Sequence, residues 1–234
     1  MRILNAYGED FLIAHFQGGC AVSFNPLLID FSKRDITLPG NISVVTMCNV
    51  PRKSMLIKQL DRNGIAYLND ADTDDEWWSN TDKIKYITSA LPKVKTEFVL
   101  VLDASDVLFA NSPGHIFDLF CVYDKKLVFG ATKVNHPKQN IDRIRDRDWR
   151  GDFRYFNAGT AFGYTADARR FYGLVRDIHE SGRIRNPDES EQLIVRHAFA
   201  ECTDWVDFDW KCSMFQTFGN TDLEDVEADV YRVR

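Results

Sequence analysis

The spacing of hydrophobic and polar residues changes at Pro39-Gly40 and from there predicts alternating strands and helices. The run 42–47 is apolar, rich in β-branched residues and bounded by turn residues, which is typical of a buried strand. Helical spacing follows, and we expect this helix to begin at Pro51 and to end at Asn63-Gly64. The run 65–68 predicts a second strand, so the segment forms a parallel strand–helix–strand crossover.

The same alternation continues along the rest of the chain. A helix over 81–91 carries Lys83 in its first turn, and the most apolar strand of the sequence, 97–103, follows it and ends in Asp103. Further predicted elements are strands over 126–131, 156–164 and 205–210 and helices over 166–181 and 189–199. We therefore expect an α/β fold with an open, mostly parallel sheet and helices on both faces. Such sheets bind ligands at the carboxyl ends of their strands.

Residues 1–40 show a weaker pattern of short apolar pieces separated by glycine and proline. They predict strands or loops without a functional site. With 44% hydrophobic residues in 234 and no recognisable linker, the chain is expected to form one domain over 1–234, in which 1–40 is an amino-terminal extension. No apolar run approaches the roughly 18 residues that cross a bilayer, so no membrane partner is expected.

Charge and cysteine content bear on the binding partners and on the cellular compartment of the protein. The net charge of -6 argues against a protein that coats nucleic acid with its whole surface. The stretch 133–154 is locally basic, and we weigh two interpretations of it, a solvated face and a contact surface for an anionic acceptor such as DNA. Five scattered cysteines indicate free thiols, and with no leader sequence a cytoplasmic protein of bacterial or viral origin is expected.

Two carboxylates stand at the end of the most apolar strand. Asp103 and Asp106 leave a buried strand through a turn, which suits a hard divalent cation such as Mn²⁺ or Mg²⁺. This spacing is common among 35 acidic residues, and the competing interpretation is a turn that only caps the strand. The position at a strand end favours the metal site.

Two further segments carry polar groups that suit a sugar. Asn157 and Gly159 lie in a small-residue segment between aromatic residues, which would let a ligand approach the backbone, although a β-bulge or tight turn explains it equally well. Asp188, Glu191 and Gln192 stand at a helix start. There acidic residues commonly interact with the helix dipole, and they could alternatively serve as a catalytic base.

Other catalytic classes lose support. The sequence has no Gly-x-Ser-x-Gly elbow, no P-loop and no Gly-x-Gly-x-x-Gly, and its five histidines lack the spacing of a metal site. Hydrolase, kinase and dehydrogenase functions are therefore disfavoured.

Taken in order, these motifs resemble those of the glycosyltransferase domain of lysyl hydroxylases and the related collagen galactosyltransferases, over roughly 42–234. The matching segments are Ser43-Val44-Val45-Thr46, Glu76-Trp77, Lys83, Asp103-Ala104-Ser105-Asp106-Val107-Leu108-Phe109-Ala110, Phe156-Asn157-Ala158-Gly159, Ser190-Glu191-Gln192-Leu193, Asp209-Trp210-Lys211 and Phe215-Gln216. The Asp-x-x-Asp segment is the most specific of them. The resemblance implies a GT-A fold and a metal-dependent glycosyltransferase.

The resemblance also implies roles for individual residues. Asp103 and Asp106 would bind Mn²⁺ and the donor diphosphate, and Glu191, with Asp188 in reserve, would act at the sugar. The remaining donor-binding positions would be Thr46, Lys83, Asn157, Gly159 and Gln192. The implied reaction moves a sugar from a nucleotide sugar, first of all a UDP-sugar, to an acceptor hydroxyl on a hydroxymethylated DNA base, a glycan or a hydroxylated side chain.

Three departures from the family pattern stand out. Ser105 replaces the aromatic residue between the two aspartates, and Ser190 replaces the first aspartate of the acidic pair. The family takes a third metal ligand from a downstream histidine, whereas this chain has no histidine after His197. Either the chain stops before that segment, or another ligand such as Asp222, Asp225 or water completes the metal site. A nucleotidyltransferase and a non-catalytic nucleotide-sugar-binding domain remain the alternatives.

Overall fold

A computed structural model describes residues 2–17, 25–51, 54–71, 79–137, 151–186, 189–219, 223–227 and 229–234. The strands in this part of the chain are β1 Arg2–Leu4, β2 Ile13–His15, β3 Ile42–Met47, β4 Tyr67–Leu68, β5 Phe98–Asp103, β6 Val107–Phe109, β7 Leu127–Thr132, β8 Tyr155–Tyr164, β9 Val206–Phe208, β10 Phe215–Thr217, β11 Leu223–Glu227 and β12 Val230–Val233. The helices are α1 Asn25–Ser32, α2 Met55–Arg62, α3 Asp82–Ala90, α4 Ile116–Cys121, α5 Thr165–Glu180 and α6 Glu191–Glu201.

The central sheet has six strands in the order β4-β3-β5-β8-β7-β9. Only β8 runs antiparallel to its neighbours within it, and the other three adjacent pairs are parallel. Five strands therefore share one direction. The predicted α/β fold with an open, mostly parallel sheet of GT-A type is confirmed.

Both faces of the central sheet are covered, and this explains the long apolar strands. On β5, Val99 and Val101 pack into a core with α3, α5 and α6, while Leu100 and Leu102 point into a second core with α2 and α4. Side chains alternate between the faces along a strand, so Asp103 projects on the same side as Val101. The carboxyl ends of β3, β5 and β7 lie at one edge, as predicted.

The amino-terminal segment differs from its prediction. The structure has a helix at α1, where strands or loops were expected, because Leu27 and Phe31 lie four residues apart and bury the same helical face. The next helix, α2, begins at Met55 rather than at Pro51. Ser54 caps it by accepting a hydrogen bond from the Ile57 amide at 3.0 Å.

Two smaller sheets join the amino-terminal strands to later parts of the chain. One has the order β10-β2-β6, so β2 is its middle strand, and the other has the order β1-β12-β11. Among the cysteines in the described ranges, Cys48, Cys121, Cys202 and Cys212 are free thiols, as expected. No helix within these ranges is long and apolar enough to cross a bilayer.

Candidate active site

The two predicted metal aspartates lie in the turn between β5 and β6. Asp103 is the last residue of β5, and Asp106 directly precedes β6. Two contacts hold this turn: Ser54 Oγ donates to the Ala104 carbonyl at 2.6 Å, and the Phe16 amide donates to the Asp106 carbonyl at 2.7 Å. The turn is therefore fixed to the start of α2 on one side and to the residue after β2 on the other.

A histidine from the amino-terminal segment completes this group. β2 pairs antiparallel with β6, and the register places His15 opposite Val107, next to Asp106. Its side chain is buried, and Nε2 lies 3.5 Å from Asp106 Oδ2. One ligand atom each from His15, Asp103 and Asp106 lies within 4.8 Å of the others. The three side chains form a group that could hold one metal ion.

The pattern of residues 1–40 predicted no functional site there, so His15 was not among the expected site residues. The signal that could have found it is the pattern of Phe11 to Phe16, a short apolar run whose polar residue stands near its end, as Asp103 does in β5. Of the expected substitutes for the third ligand, Asp222 and the side chain of Asp225 lie outside the described residues.

Lys83 and Glu191 extend the cluster. Lys83 Nζ, from the first turn of α3, lies 3.0 Å from each carboxylate oxygen of Asp103 and 3.2 Å from Glu191 Oε1. Glu191 is the first residue of α6. The two helix starts therefore bring an ammonium group and a third carboxylate to the carboxyl end of β5.

Burial and mutual charge set the protonation of these groups. Burial raises the pKa of the Asp103 carboxyl above its usual range; Lys83 opposes this rise, and the carboxylates of Glu191 and Asp106 add to it. Burial alone would lower the pKa of Lys83, but Asp103 and Glu191 outweigh it and keep the pKa above its usual range. In the same way Asp106 raises the pKa of His15 against the effect of burial, and His15 lowers that of Asp106.

The segment around Gly159 forms one wall of the cluster. Between Asn157 and Ala161, β8 advances four residues while β7 advances one, which is a β-bulge. A Cβ atom at position 159 would overlap the His15 ring and lie 3.1 Å from Asp103 Oδ2. Glycine is therefore required where the backbone of β8 passes the side chains of His15 and Asp103.

Asn157 and Gln192 lie beside the site with their polar atoms engaged. Asn157 is buried, and its Oδ1 accepts from the Gly159 amide at 2.9 Å. Gln192 Oε1 accepts from the Ala158 amide at 2.8 Å, and its Nε2 donates to the Phe156 carbonyl at 2.8 Å. In this conformation both side chains shape the bulge, and their predicted contact with the donor stays a prediction.

Thr46 is placed away from the cluster. It pairs with Leu102 in the register of β3 and β5, so it projects on the opposite face of the sheet from Asp103. Its hydroxyl is buried and donates to the Leu102 carbonyl at 2.8 Å. Other predicted positions lie outside the described residues, namely Asp188, Glu76-Trp77 and the central part, 138–150, of the basic stretch.

The donor set fits a hard or borderline divalent cation. Two carboxylates and one imidazole are ligands that Mn²⁺ accepts, and Mg²⁺ shares the preference for oxygen. The cluster also carries three carboxylates, Asp103, Asp106 and Glu191, against the one ammonium group of Lys83. A divalent cation would reduce this excess of negative charge.

Comparison with known proteins gives a family match. A family model described as the PLOD GT domain, the glycosyltransferase domain of lysyl hydroxylases, matches residues 71–232. The matched range contains Lys83, both aspartates and Glu191, whereas His15 lies outside it. No curated protein matches the chain significantly. Since the match covers well over half of the chain, the protein belongs to the PLOD glycosyltransferase-domain family.

Proposed function

We propose that the protein transfers a sugar from a nucleotide-sugar donor to an acceptor hydroxyl in a metal-dependent reaction, with a UDP-sugar as the first donor to test. The observation that carries this proposal is the cluster of His15, Asp103 and Asp106 within 4.8 Å, beside Lys83 and Glu191. Membership of a glycosyltransferase family supports the reaction class.

In this proposal, Asp103, Asp106 and His15 hold Mn²⁺ or Mg²⁺. When bound there, the ion would supply positive charge that stabilises the leaving nucleoside diphosphate. Lys83 adds a second positive charge, and its contact with Asp103 places the ammonium group beside the same carboxylate that holds the ion. The phosphates would therefore bind beside both Lys83 and the metal ligands.

Glu191 is the proposed catalytic carboxylate, with Asp188 as the second candidate. Glu191 lies at the amino end of α6 and shares Lys83 with Asp103, which puts it next to the donor phosphates in this arrangement. From there it could accept the proton of the acceptor hydroxyl or stabilise positive charge on the sugar ring. Gly159, and with it Asn157 and Gln192, would line the sugar, while Thr46 is proposed to contact the base.

For the acceptor we propose a polyanion such as hydroxymethylated DNA as the first class to test, against a neutral glycan and a hydroxylated side chain. The supporting observation is the basic character of 133–154 within an acidic protein. Within its described part, Lys133 lies 3.4 Å from Asp152 and so is already paired. Transfer to each acceptor class over a salt series would decide, since only a polyanion gives strong salt dependence.

The two alternatives are less well supported than transfer. A non-catalytic binding domain is suggested by the lack of a downstream histidine that could be the third metal ligand. His15 could be that ligand, so this alternative is weaker. A nucleotidyltransferase should carry a basic, glycine-rich loop after its first strand, and the residues after β3, Cys48-Asn49-Val50-Pro51, do not form one.

The metal dependence of nucleotide binding tests the proposal. We expect UDP to bind in Mn²⁺ and to lose at least about tenfold in affinity in EDTA, because Asp103 and Asp106 repel a diphosphate without a cation. His15→Ala should weaken Mn²⁺ binding by about 10- to 100-fold. Isothermal calorimetry measures both. His179→Ala, at an exposed position on α5, is the matched control for His15→Ala. Equal UDP affinity with and without EDTA in the parent protein would refute the metal site.

A further inference from the structure

Asp209 is a buried carboxylate at the start of the turn between β9 and β10, and the proposed reaction does not use it. It is fully buried. Its Oδ1 accepts from the Tyr123 hydroxyl and from the Ser213 amide at 3.2 Å, and its Oδ2 accepts from the amides of Met214 and Phe215, both at 2.7 Å. The whole turn from 209 to 215 is folded around this one side chain.

This turn determines where β10 begins. The Met214 amide donates to Asp209, while the Met214 carbonyl accepts from the Ile13 amide at 2.9 Å. β10 then runs parallel to β2, with Thr217 opposite His15, and the Phe218 amide donates to the His15 carbonyl at 2.8 Å. Through β10, hydrogen bonds therefore connect Asp209 to the backbone of β2 at the Ile13 amide and at the His15 carbonyl.

The opposite edge of β2 is held by β6, which directly follows Asp106. Gln59 fixes β6 from the other side, because its Oε1 accepts from the Phe109 amide at 2.9 Å and its Nε2 donates to the Phe109 carbonyl at 3.0 Å. β2 lies between β6, which Gln59 holds, and β10, which Asp209 holds. The distance between His15 and Asp106 therefore depends on the positions of both strands.

We propose that Asp209 is a positioning residue for the metal site, which holds β10 so that β2 presents His15 to Asp103 and Asp106. The proposal rests on the proposed metal-dependent function. Asp209 contacts none of the three ligands itself, so it acts only through the hydrogen bonds from its turn to β2. A carboxylate is needed because the Tyr123 hydroxyl and three backbone amides share its two oxygens, whereas an amide has only one accepting oxygen and its NH2 group can only donate.

The experiment measures Mn²⁺ affinity, by electron paramagnetic resonance, on folded variants well below their thermal midpoints. In Asp209→Asn the amide group faces N–H donors, so we expect Mn²⁺ affinity to fall about tenfold or more, as for other changes behind a metal ligand. Tyr123→Phe removes one donor and should give a smaller loss in the same direction, about two- to fivefold. If Asp209→Asn does not fold, Tyr123→Phe decides alone.

The matched control separates positioning from stability. Phe98→Leu reduces packing in the second core at the end of β5 remote from Asp103, where Phe98 stacks on Phe162 at 5.7 Å, so it should lower the thermal midpoint and leave Mn²⁺ affinity unchanged. If Asp209→Asn lowers the midpoint as Phe98→Leu does but binds Mn²⁺ within about twofold of the parent, the inference is wrong. If the parent protein itself binds no Mn²⁺, the proposed function fails instead.

Discussion

At the scale of single residues, Lys83 connects the metal-ligand group to the proposed catalytic carboxylate. Its ammonium group contacts Asp103 and Glu191 at nearly equal distances. Two carboxylates that share one cation stay close to each other although they repel, and a third negative group such as a phosphate would compete with them for the same ammonium. Donor binding is therefore expected to redistribute the contacts of Lys83 between the two side chains.

The close passage of the backbone at Gly159 gives a prediction at this scale. In Gly159→Ala the new methyl group would overlap the His15 ring, so either the ring or the bulge must move. We expect Mn²⁺ affinity to fall by about tenfold or more, with a loss of stability of roughly 1–3 kcal/mol. Calorimetry with Mn²⁺ and a urea titration measure the two effects.

Gly173→Ala is the control for this substitution. Gly173 lies in α5, and no neighbouring atom lies within 4 Å of the Cβ position. Alanine should stabilise that helix by about 0.5–1 kcal/mol and leave metal binding unchanged. Normal Mn²⁺ affinity in Gly159→Ala would show that His15 and Asp103 tolerate a shift of the bulge, and the requirement for glycine would then be wrong.

At the scale of elements, the site depends on where helices and strands end. The amino ends of α3 and α6 bring Lys83 and Glu191, the carboxyl end of β5 brings Asp103, and the pairing of β2 with β6 brings His15. The start of α2 also supports the site, because Ser54 Oγ accepts from the Ile57 amide as the cap of this helix and donates to the Ala104 carbonyl in the turn between β5 and β6.

Ser54→Ala tests this double role. The loss of the cap should destabilise the protein by about 1 kcal/mol, equivalent to about 2–4 °C in the thermal midpoint, and the freed Ala104 carbonyl should weaken Mn²⁺ binding. Thr81→Ala is the control, because Thr81 is the N-cap of α3 but makes no side-chain capping bond. Calorimetric scanning and Mn²⁺ titration check both variants. Equal effects of the two substitutions would contradict the role given to Ser54.

The hydrophobic pattern of the sequence predicted some of these elements correctly. Strands β3 and β5 were predicted within one residue because both of their faces are buried, which produces long apolar runs. The same patterns placed the two aspartates at the carboxyl end of a buried strand, where such sheets bind ligands, whereas the family resemblance supplied the role of Lys83.

The hydrophobic pattern could not predict which strands pair when they are distant in sequence. His15 reaches the site through a strand of three residues, and nothing local shows that β2 pairs with β6 and β10 rather than with a neighbour in sequence. Thr46 illustrates the same dependence on pairing. Its motif is local, but only the register with β5 reveals that its side chain projects away from Asp103.

At the scale of the whole molecule, the proposed metal ion would join distant parts of the chain. His15 and Asp103 are 103 − 15 = 88 positions apart. Opening of β2 would release the ion, so Mn²⁺ at 100 times its dissociation constant should stabilise the closed state by about 2.7 kcal/mol. We expect hydrogen exchange of the β2 amides to slow by up to about 100-fold in Mn²⁺ relative to EDTA.

Amides near the carboxyl end of α5, which exchange by local fraying, serve as the internal reference and should not change. His15→Ala should remove the metal effect on β2, because the ion can then bind without that strand. Equal protection of β2 with and without Mn²⁺ in the parent protein would argue that His15 is not a ligand.

Because β2 is the middle strand of its sheet, its position also determines when the strand pairs of that sheet can form during translation. Its two partner strands are made at very different times, since β6 follows about 90 residues later and β10 about 200 residues later. At a ribosomal rate of roughly 5–20 residues per second, β2 waits for about ten seconds or longer with an unpaired edge. β2 is therefore exposed to wrong pairing during most of synthesis, and the candidate active site forms only after β10 has been made.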